Sequence, residues 1–276
     1  MRQLRSICMD GIPQLGLAIT YPSPGIVERI GADWDWIWID GQHGEIGYND
    51  ILGLVRACDL IQRPAIVRVP GHEFGPIGMA LDTAAAGLIV PCIDTPEQAK
   101  RVVNAAKFPP LGKRSYGGRR VGDLRGRNYS DDANDSVLLI AQIESPEAIE
   151  NVDEIAAIPG IDALFLGPDD MLLRRGVAMT AIRNRDTLGK DMEAVVNACR
   201  AHSKLSVMVG VGQEMLNTCL SMGFHMVVCG GDVLFLASSS KQLATEARKS
   251  VKDSMKLAPS VAIDHPRVRQ GAESIY

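Results

Sequence analysis

VLLIAQIESPEAIENVDEIAAI, residues 137 to 158, changes its period halfway, and that change decides the fold. Residues 137 to 143 are apolar except for Gln142, the pattern of a strand covered on both faces. Ser145, Pro146 and Glu147 follow. A hydroxyl can cap free backbone N–H groups, proline suits the first helical turn, and glutamate favours the positive helix end. Apolar residues then return at helical spacing as far as Ile158. TPEQAKRVVNAA (95 to 106) repeats this opening after GLIVP (87 to 91), and SPGIVERIGA starts with Ser23 and Pro24 after LGLAIT (15 to 20).

The remaining apolar runs are WIWID (36 to 40), AIVRV (65 to 69), ALFLG (163 to 167), SVMVGV (206 to 211) and MVVCG (226 to 230), which brings the total to eight. Eight strands with intervening helices predict an α/β fold, a (β/α)8 TIM barrel over residues 1 to 257, with an open doubly wound sheet as the alternative. The chain of 276 residues suits one such barrel. No linker or low-complexity segment divides it, and residues 258 to 276, with two prolines and no period, read as an irregular tail.

The formal net charge of −4 argues against a general nucleic-acid binder. Six scattered cysteines without a C-x-x-C pair read as reduced core residues. The amino terminus has no sustained apolar segment, and nowhere do about 18 apolar residues run together, so the expectation is a cytoplasmic protein with no membrane partner.

In a barrel of this kind the chemistry sits where strands end, at the carboxyl face. The polar residues there are Asp40 and His43 after the second run, Arg68 near the end of the third, Gln142 and Glu144 at the end of the fifth, and Asp169 and Asp170 after the sixth. Glu144 and Asp170 would repel one another unless a cation lay between them, and oxygen donors favour Mg2+ or Mn2+. The plainer reading makes one a helix neighbour and the other a cap. Arg68 in a buried strand requires an anion, either a structural carboxylate such as Asp82 or an oxyanion of a substrate. Asp40, three residues before His43, could orient the imidazole as a general base. GKRSYGGRRVGDLRGR (112 to 127) carries six Lys or Arg against one Asp and reads as a solvated loop or as a mobile cover over an anionic substrate. GVGQEM (210 to 215) lacks the third glycine of a dinucleotide fingerprint.

DWDWIWIDGQHG, RVP with Arg68, LDTAAAGLIVP, FPPLGKRS, QIESPEAIENVDEIAAIPGIDALFLGPDD and GF followed by VVCGGD together resemble the HpcH/HpaI family of metal-dependent aldolases, in order from about residue 15 to 250. The resemblance implies a (β/α)8 barrel assembled as a hexamer. It implies a divalent cation, Mg2+ or Mn2+ with Co2+ as a further option, that binds pyruvate or its enolate, and cleavage of a 4-hydroxy-2-oxo acid to pyruvate and an aldehyde. By the same resemblance His43 is similar to the general base and Arg68 to the residue steadying the reacting oxygen. Asp82 is similar to the carboxylate that makes the histidine more basic, with Asp40 assisting. Glu144 and Asp170 resemble the metal ligands, and Gln142 and the backbone at Asp169 would hold the pyruvate moiety. The chain departs from the family pattern at Gln42, where glutamate is usual, at Asp169, where a small residue is usual, and in the LLRRGVAMT segment after Asp170. Two alternatives stand beside this reading: oxaloacetate decarboxylation at the same site, as in a macrophomate-synthase-like branch, and a non-catalytic protein that binds a 2-oxo acid.

Overall fold

The computed structural model describes residues 4–257. Eight parallel strands close into a barrel in sequence order, β1 (Gln14–Ile19), β2 (Trp36–Asp40), β3 (Ala65–Arg68), β4 (Gly87–Val90), β5 (Leu138–Ile143), β6 (Ala163–Leu166), β7 (Leu205–Val209) and β8 (Met226–Gly231). Each coincides with one of the eight apolar runs to within two residues at either end. The open-sheet alternative is excluded, because β8 pairs with β1 as well as with β7.

The helices are α1 (Leu4–Met9), α2 (Pro24–Ile30), α3 (Tyr48–Leu60), α4 (Phe74–Asp82), α5 (Pro96–Ala106), α6 (Arg119–Arg125), α7 (Ser130–Ser136), α8 (Pro146–Glu150), α9 (Val152–Ala157), α10 (Pro168–Arg174), α11 (Arg185–Ala201), α12 (Gln213–Met222) and α13 (Asp232–Leu257). Thr95 accepts the Gln98 N–H at 3.3 Å, and Ser145 accepts the Ala148 N–H at 2.9 Å, so both predicted caps form. Ser23 occupies the cap position of α2 without a side-chain cap bond.

The described residues separate into two compact units that divide between Leu234 and Phe235. The barrel unit therefore closes at Leu234, and residues 258 to 276, read as a tail from the sequence, lie outside the described residues.

Strand phase turns this barrel into a site. Trp36, Trp38, Ile66, Ile140, Phe165, Val207 and Val228 fill the interior, with Leu4 and Cys8 of α1 packed into the same cluster. Side chains two apart on a strand share a face. One step beyond Trp38 on that face is Asp40, beyond Ile66 is Arg68, and beyond Ile140 come Gln142 and then Glu144. The apolar column is thus topped by a polar layer at the carboxyl end of the barrel. Asp40 and Arg68 are also direct register partners between β2 and β3.

Cys8, Cys58, Cys199 and Cys219 are buried and unpaired, and burial pushes each thiol up to about 12, as core residues rather than nucleophiles require. Among the described residues no helix is long and apolar enough to cross a membrane.

Candidate active site

Four of the expected residues form one buried chain of contacts. The Asp40 carboxylate accepts Nε of Arg68 at 2.8 Å and Nη2 at 2.6 Å, a two-point pair between side chains that are nearly sealed from solvent. Arg68 Nη1 lies 3.5 Å from Gln142 Oε1, and Gln142 Nε2 donates to Glu144 Oε2. The other Glu144 oxygen accepts the backbone N–H of Cys92 at 2.8 Å. The amide of Gln142 is thereby oriented at both ends, with its oxygen toward a cation and its nitrogen toward an anion.

Asp40 does something other than orient the imidazole. Its Oδ1 accepts the backbone N–H groups of Gln42 (3.1 Å) and His43 (3.2 Å), and its remaining capacity goes to Arg68. Burial acts to raise this carboxyl, but the Arg68 hydrogen bonds and charge, with the two backbone donors, outweigh it and hold Asp40 below the ordinary carboxylate value. The carboxylate shapes the loop that presents His43 and clamps the guanidinium. His43 itself is exposed, and no described residue hydrogen-bonds its ring. Arg68 thus finds its counterion in Asp40, and the sequence-level option of Asp82 falls away.

Asp82 lies elsewhere in the chain. It ends α4, which leaves the carboxyl end of β3 and returns to the amino end of β4, so the height of the barrel separates it from His43 of the same chain. Its cationic neighbour is Arg114, at 3.9 Å, and burial raises its carboxyl, an effect the Arg114 charge only partly offsets. The basic segment 112 to 127 lies at that end too, between α5 and β5. Arg120 pairs with Asp59 and donates to the carbonyl of Thr83 at 2.8 Å, while Tyr116 donates to the Arg127 carbonyl at 2.8 Å. Residues 119 to 125 are helical. A cover over this chain's own catalytic face is therefore ruled out by topology.

Asp169 and Asp170 open α10, with Gly167 at its cap position. Gly167 permits a close approach: a Cβ there would stand 2.7 Å from Glu144 Oε2 and 2.9 Å from Gln142 Nε2. The end of β6 thus presses against Glu144, and Asp170 follows within one helical turn. Asp170 is half-buried and has no hydrogen-bond or ion-pair partner among the described residues. Asp169, in contrast, is exposed and paired with Arg183, which balances the extra charge that distinguishes this chain at that position.

Cys92 and Arg174 were not picked out from sequence. Cys92 sits at φ 55°, a left-handed conformation that strains an L-residue, and this turns its N–H onto Glu144. Arg174, in the atypical segment after Asp170, lies 3.5 Å from Asp94 and 3.7 Å from the Cys92 sulfur, and its charge is felt at Glu144.

The donor set fits a divalent cation of the Mg2+ or Mn2+ type. Glu144 is a carboxylate 1% exposed whose direct hydrogen-bond donors are neutral, and Asp170, without a partner among the described residues, lies in the first turn of the helix that follows Gly167. Among the described residues no three His, Cys, Asp or Glu side chains converge as a closed cage. Two carboxylates leave several positions for water and a chelating substrate, as such hard cations prefer.

A parallel barrel with an acid, guanidinium and amide network at its carboxyl rim defines an enzyme of the TIM-barrel class. The HpcH/HpaI aldolase/citrate lyase model matches residues 23–239, and the chain belongs to that family, several of whose members are named aldolases. The 4-hydroxy-2-oxovalerate aldolase of Novosphingobium aromaticivorans is 41% identical over 180 residues, covering 64% of this chain and 69% of that protein. An HpcH/HpaI aldolase/citrate lyase family protein from Burkholderia cenocepacia J2315 superposes with a TM-score of 0.81 at 30% identity, covering 89% of this chain and 98% of that one. Macrophomate synthase has the same TM-score of 0.81 at 25% identity, covering 91% of each chain.

Proposed function

We propose that this site cleaves a 4-hydroxy-2-oxo acid to pyruvate and an aldehyde, with Glu144 and Asp170 holding a divalent cation, Mg2+ or Mn2+. The observation that carries the reading is the buried run from Asp40 through Arg68 and Gln142 to Glu144, which places a fixed cationic fork and a carboxylate with no direct ion pair among the described residues at one rim. When bound there, a divalent cation supplies Lewis-acid polarisation of the 2-oxo group. His43, exposed and with no hydrogen-bond partner for its ring among the described residues, takes the proton of the 4-hydroxyl as the C3–C4 bond breaks. Arg68 directs the donor left over from its pairing, on Nη1, at the oxygen that gains charge as the enolate forms. Gln142 and the backbone at Asp169 hold the oxo acid. Reprotonation at C3 gives pyruvate, and no lysine Schiff base enters.

The family's lyase character weighs against a silent binding protein. The likeness to macrophomate synthase supports a second reading, oxaloacetate decarboxylation, in which the same enolate forms by loss of carbon dioxide. Purified protein with Mn2+ is expected to exchange the methyl protons of pyruvate with deuterium and to turn over 4-hydroxy-2-oxo acids faster than oxaloacetate. The opposite preference would install the decarboxylase reading. His43→Ala is expected to lower cleavage by about 10²- to 10⁴-fold with Mn2+ affinity retained. Wild-type turnover in that variant would remove the imidazole from the reaction.

The position of Asp82 bears on assembly. Because it lies at the opposite end of its own barrel, it acts on His43 only across an interface between copies in a symmetric oligomer such as the hexamer. Mixing inactive His43→Ala chains with inactive Asp82→Ala chains, after dissociation and reassembly, is then expected to restore part of the activity. Mixtures as inactive as their components would confine Asp82 to its pairing with Arg114.

A further inference from the structure

We infer that Trp38 is a positioning residue for Arg68. The inference rests on the lyase reading above for its kinetic consequence, but its structural content is independent of that reading. Trp38 sits one inward step below Asp40 on β2, and the Arg68 guanidinium carbon lies 4.6 Å from its ring centroid. Phe165 meets the same indole edge-on, with centroids 5.5 Å apart at 84°, so the ring is held from the opposite strand. Asp40 fixes two nitrogens of the fork in the plane of the pair, which leaves the plane free to tilt about that pair. An aromatic face against the guanidinium removes that freedom, since a cation is attracted to the negative face of the ring.

Packing alone accounts for an apolar side chain here but not for an indole. It is 8% exposed, and its Nε1 is buried without a hydrogen-bond partner among the described residues, whereas Trp36, two residues earlier, donates its Nε1 to the Gln14 carbonyl at 3.3 Å. A leucine would fill an apolar layer without burying an unmatched donor. A tryptophan in that position serves the fork above it. The one nitrogen outside the Asp40 pair is Nη1, whose contact with Gln142 is long at 3.5 Å, so its donors are the ones available to a ligand oxygen. The tilt that Trp38 sets is the aim of that nitrogen.

Trp38→Leu and Trp38→Phe test this directly. In the leucine variant kcat should fall about 10- to 100-fold, as small misplacements of a reacting group do, while KM for the 2-oxo acid changes little. Inhibition by oxalate, a planar mimic of the enolate, should weaken in parallel with kcat. Phenylalanine keeps an aromatic face and should recover most of both. Independently of turnover, the Arg68 Nε–H resonance, assigned by its loss in Arg68→Lys, should exchange with solvent faster in Trp38→Leu than in wild type. Wild-type kcat and wild-type Nε–H protection in Trp38→Leu would overturn the inference, as would a phenylalanine variant no better than leucine. A wild-type protein inert toward pyruvate would defeat the lyase reading and the kinetic arm together, and the exchange measurement would still decide whether the ring holds the fork.

Discussion

Glu144→Gln is expected to lower lyase turnover by about three orders of magnitude and to leave the stability of the barrel close to that of wild type when no metal is added. The two effects differ in size because the charge serves a metal ion more than it serves the fold. Glu144 is 1% exposed, and its two oxygens accept from a backbone N–H and an amide, both neutral. A charge buried among neutral donors costs desolvation that the amide avoids, but the amide accepts at only one atom, so its nitrogen would face Cys92 N–H or Gln142 Nε2, donor against donor, and the two changes oppose one another. The same charge is half of what Glu144 and Asp170 offer a divalent ion, and polarisation by such an ion is worth several kcal/mol of barrier. Titration with Mn2+ followed by electron paramagnetic resonance should show binding weakened or lost. The melting temperature without metal should stay close to that of wild type. Undiminished Mn2+ affinity in the variant would mean that the cation is held elsewhere, and the assignment of Glu144 would fail with it.

The barrel was legible because each strand is buried on both faces, which writes it into the sequence as a short apolar run, and because the helices after β4 and β5 announce themselves with hydroxyl, proline and an acid. Polar residues inside such runs had to be either mistakes or machinery, which is how Asp40, Arg68, Gln142 and Glu144 could be chosen, and they fall into one hydrogen-bonded chain. Their pairing was less legible. That Arg68 meets Asp40 follows from the register of β2 against β3, which apolar runs do not specify.

The place of Asp82 is harder to read for a different reason. It stands five residues before β4, and a helix that feeds a strand must end at the strand's amino end, so its position was implicit in the alternation of elements. Family resemblance associates Asp82 with His43 without saying whether one chain supplies both. Cys92 could not be read at all, because it contributes a backbone N–H through a left-handed turn, and its side-chain type says only that the neighbourhood is apolar. The six-residue helix α1 is too short to declare a period, although Leu4 and Cys8 join the barrel interior.

Asp40→Asn should be the most destabilising of the substitutions considered, because it removes one member of a buried ion pair and leaves the other. Breaking such a pair typically costs about 3–5 kcal/mol, since Arg68 would remain charged and nearly sealed from water. Asparagine can accept at only one atom, so its amide nitrogen would face a guanidinium nitrogen, donor against donor. For a chain of this size the loss corresponds to a fall in Tm of roughly 6–20 °C. Turnover should fall as well, because the fork loses its in-plane anchor and the His43 loop loses its shared acceptor. The pH dependence has a definite sign. The folded-state carboxyl of Asp40 is held below its ordinary value of 3.8, so its contribution to stability is fully present above that value. As pH falls below 3.8 toward the depressed folded value, protonation of the native state erases that contribution. The stability gap between wild type and Asp40→Asn, measured by urea denaturation, should therefore be flat above about pH 5 and narrow at more acid pH. A gap that stayed constant into strong acid would show that the charge on Asp40 is not what holds Arg68.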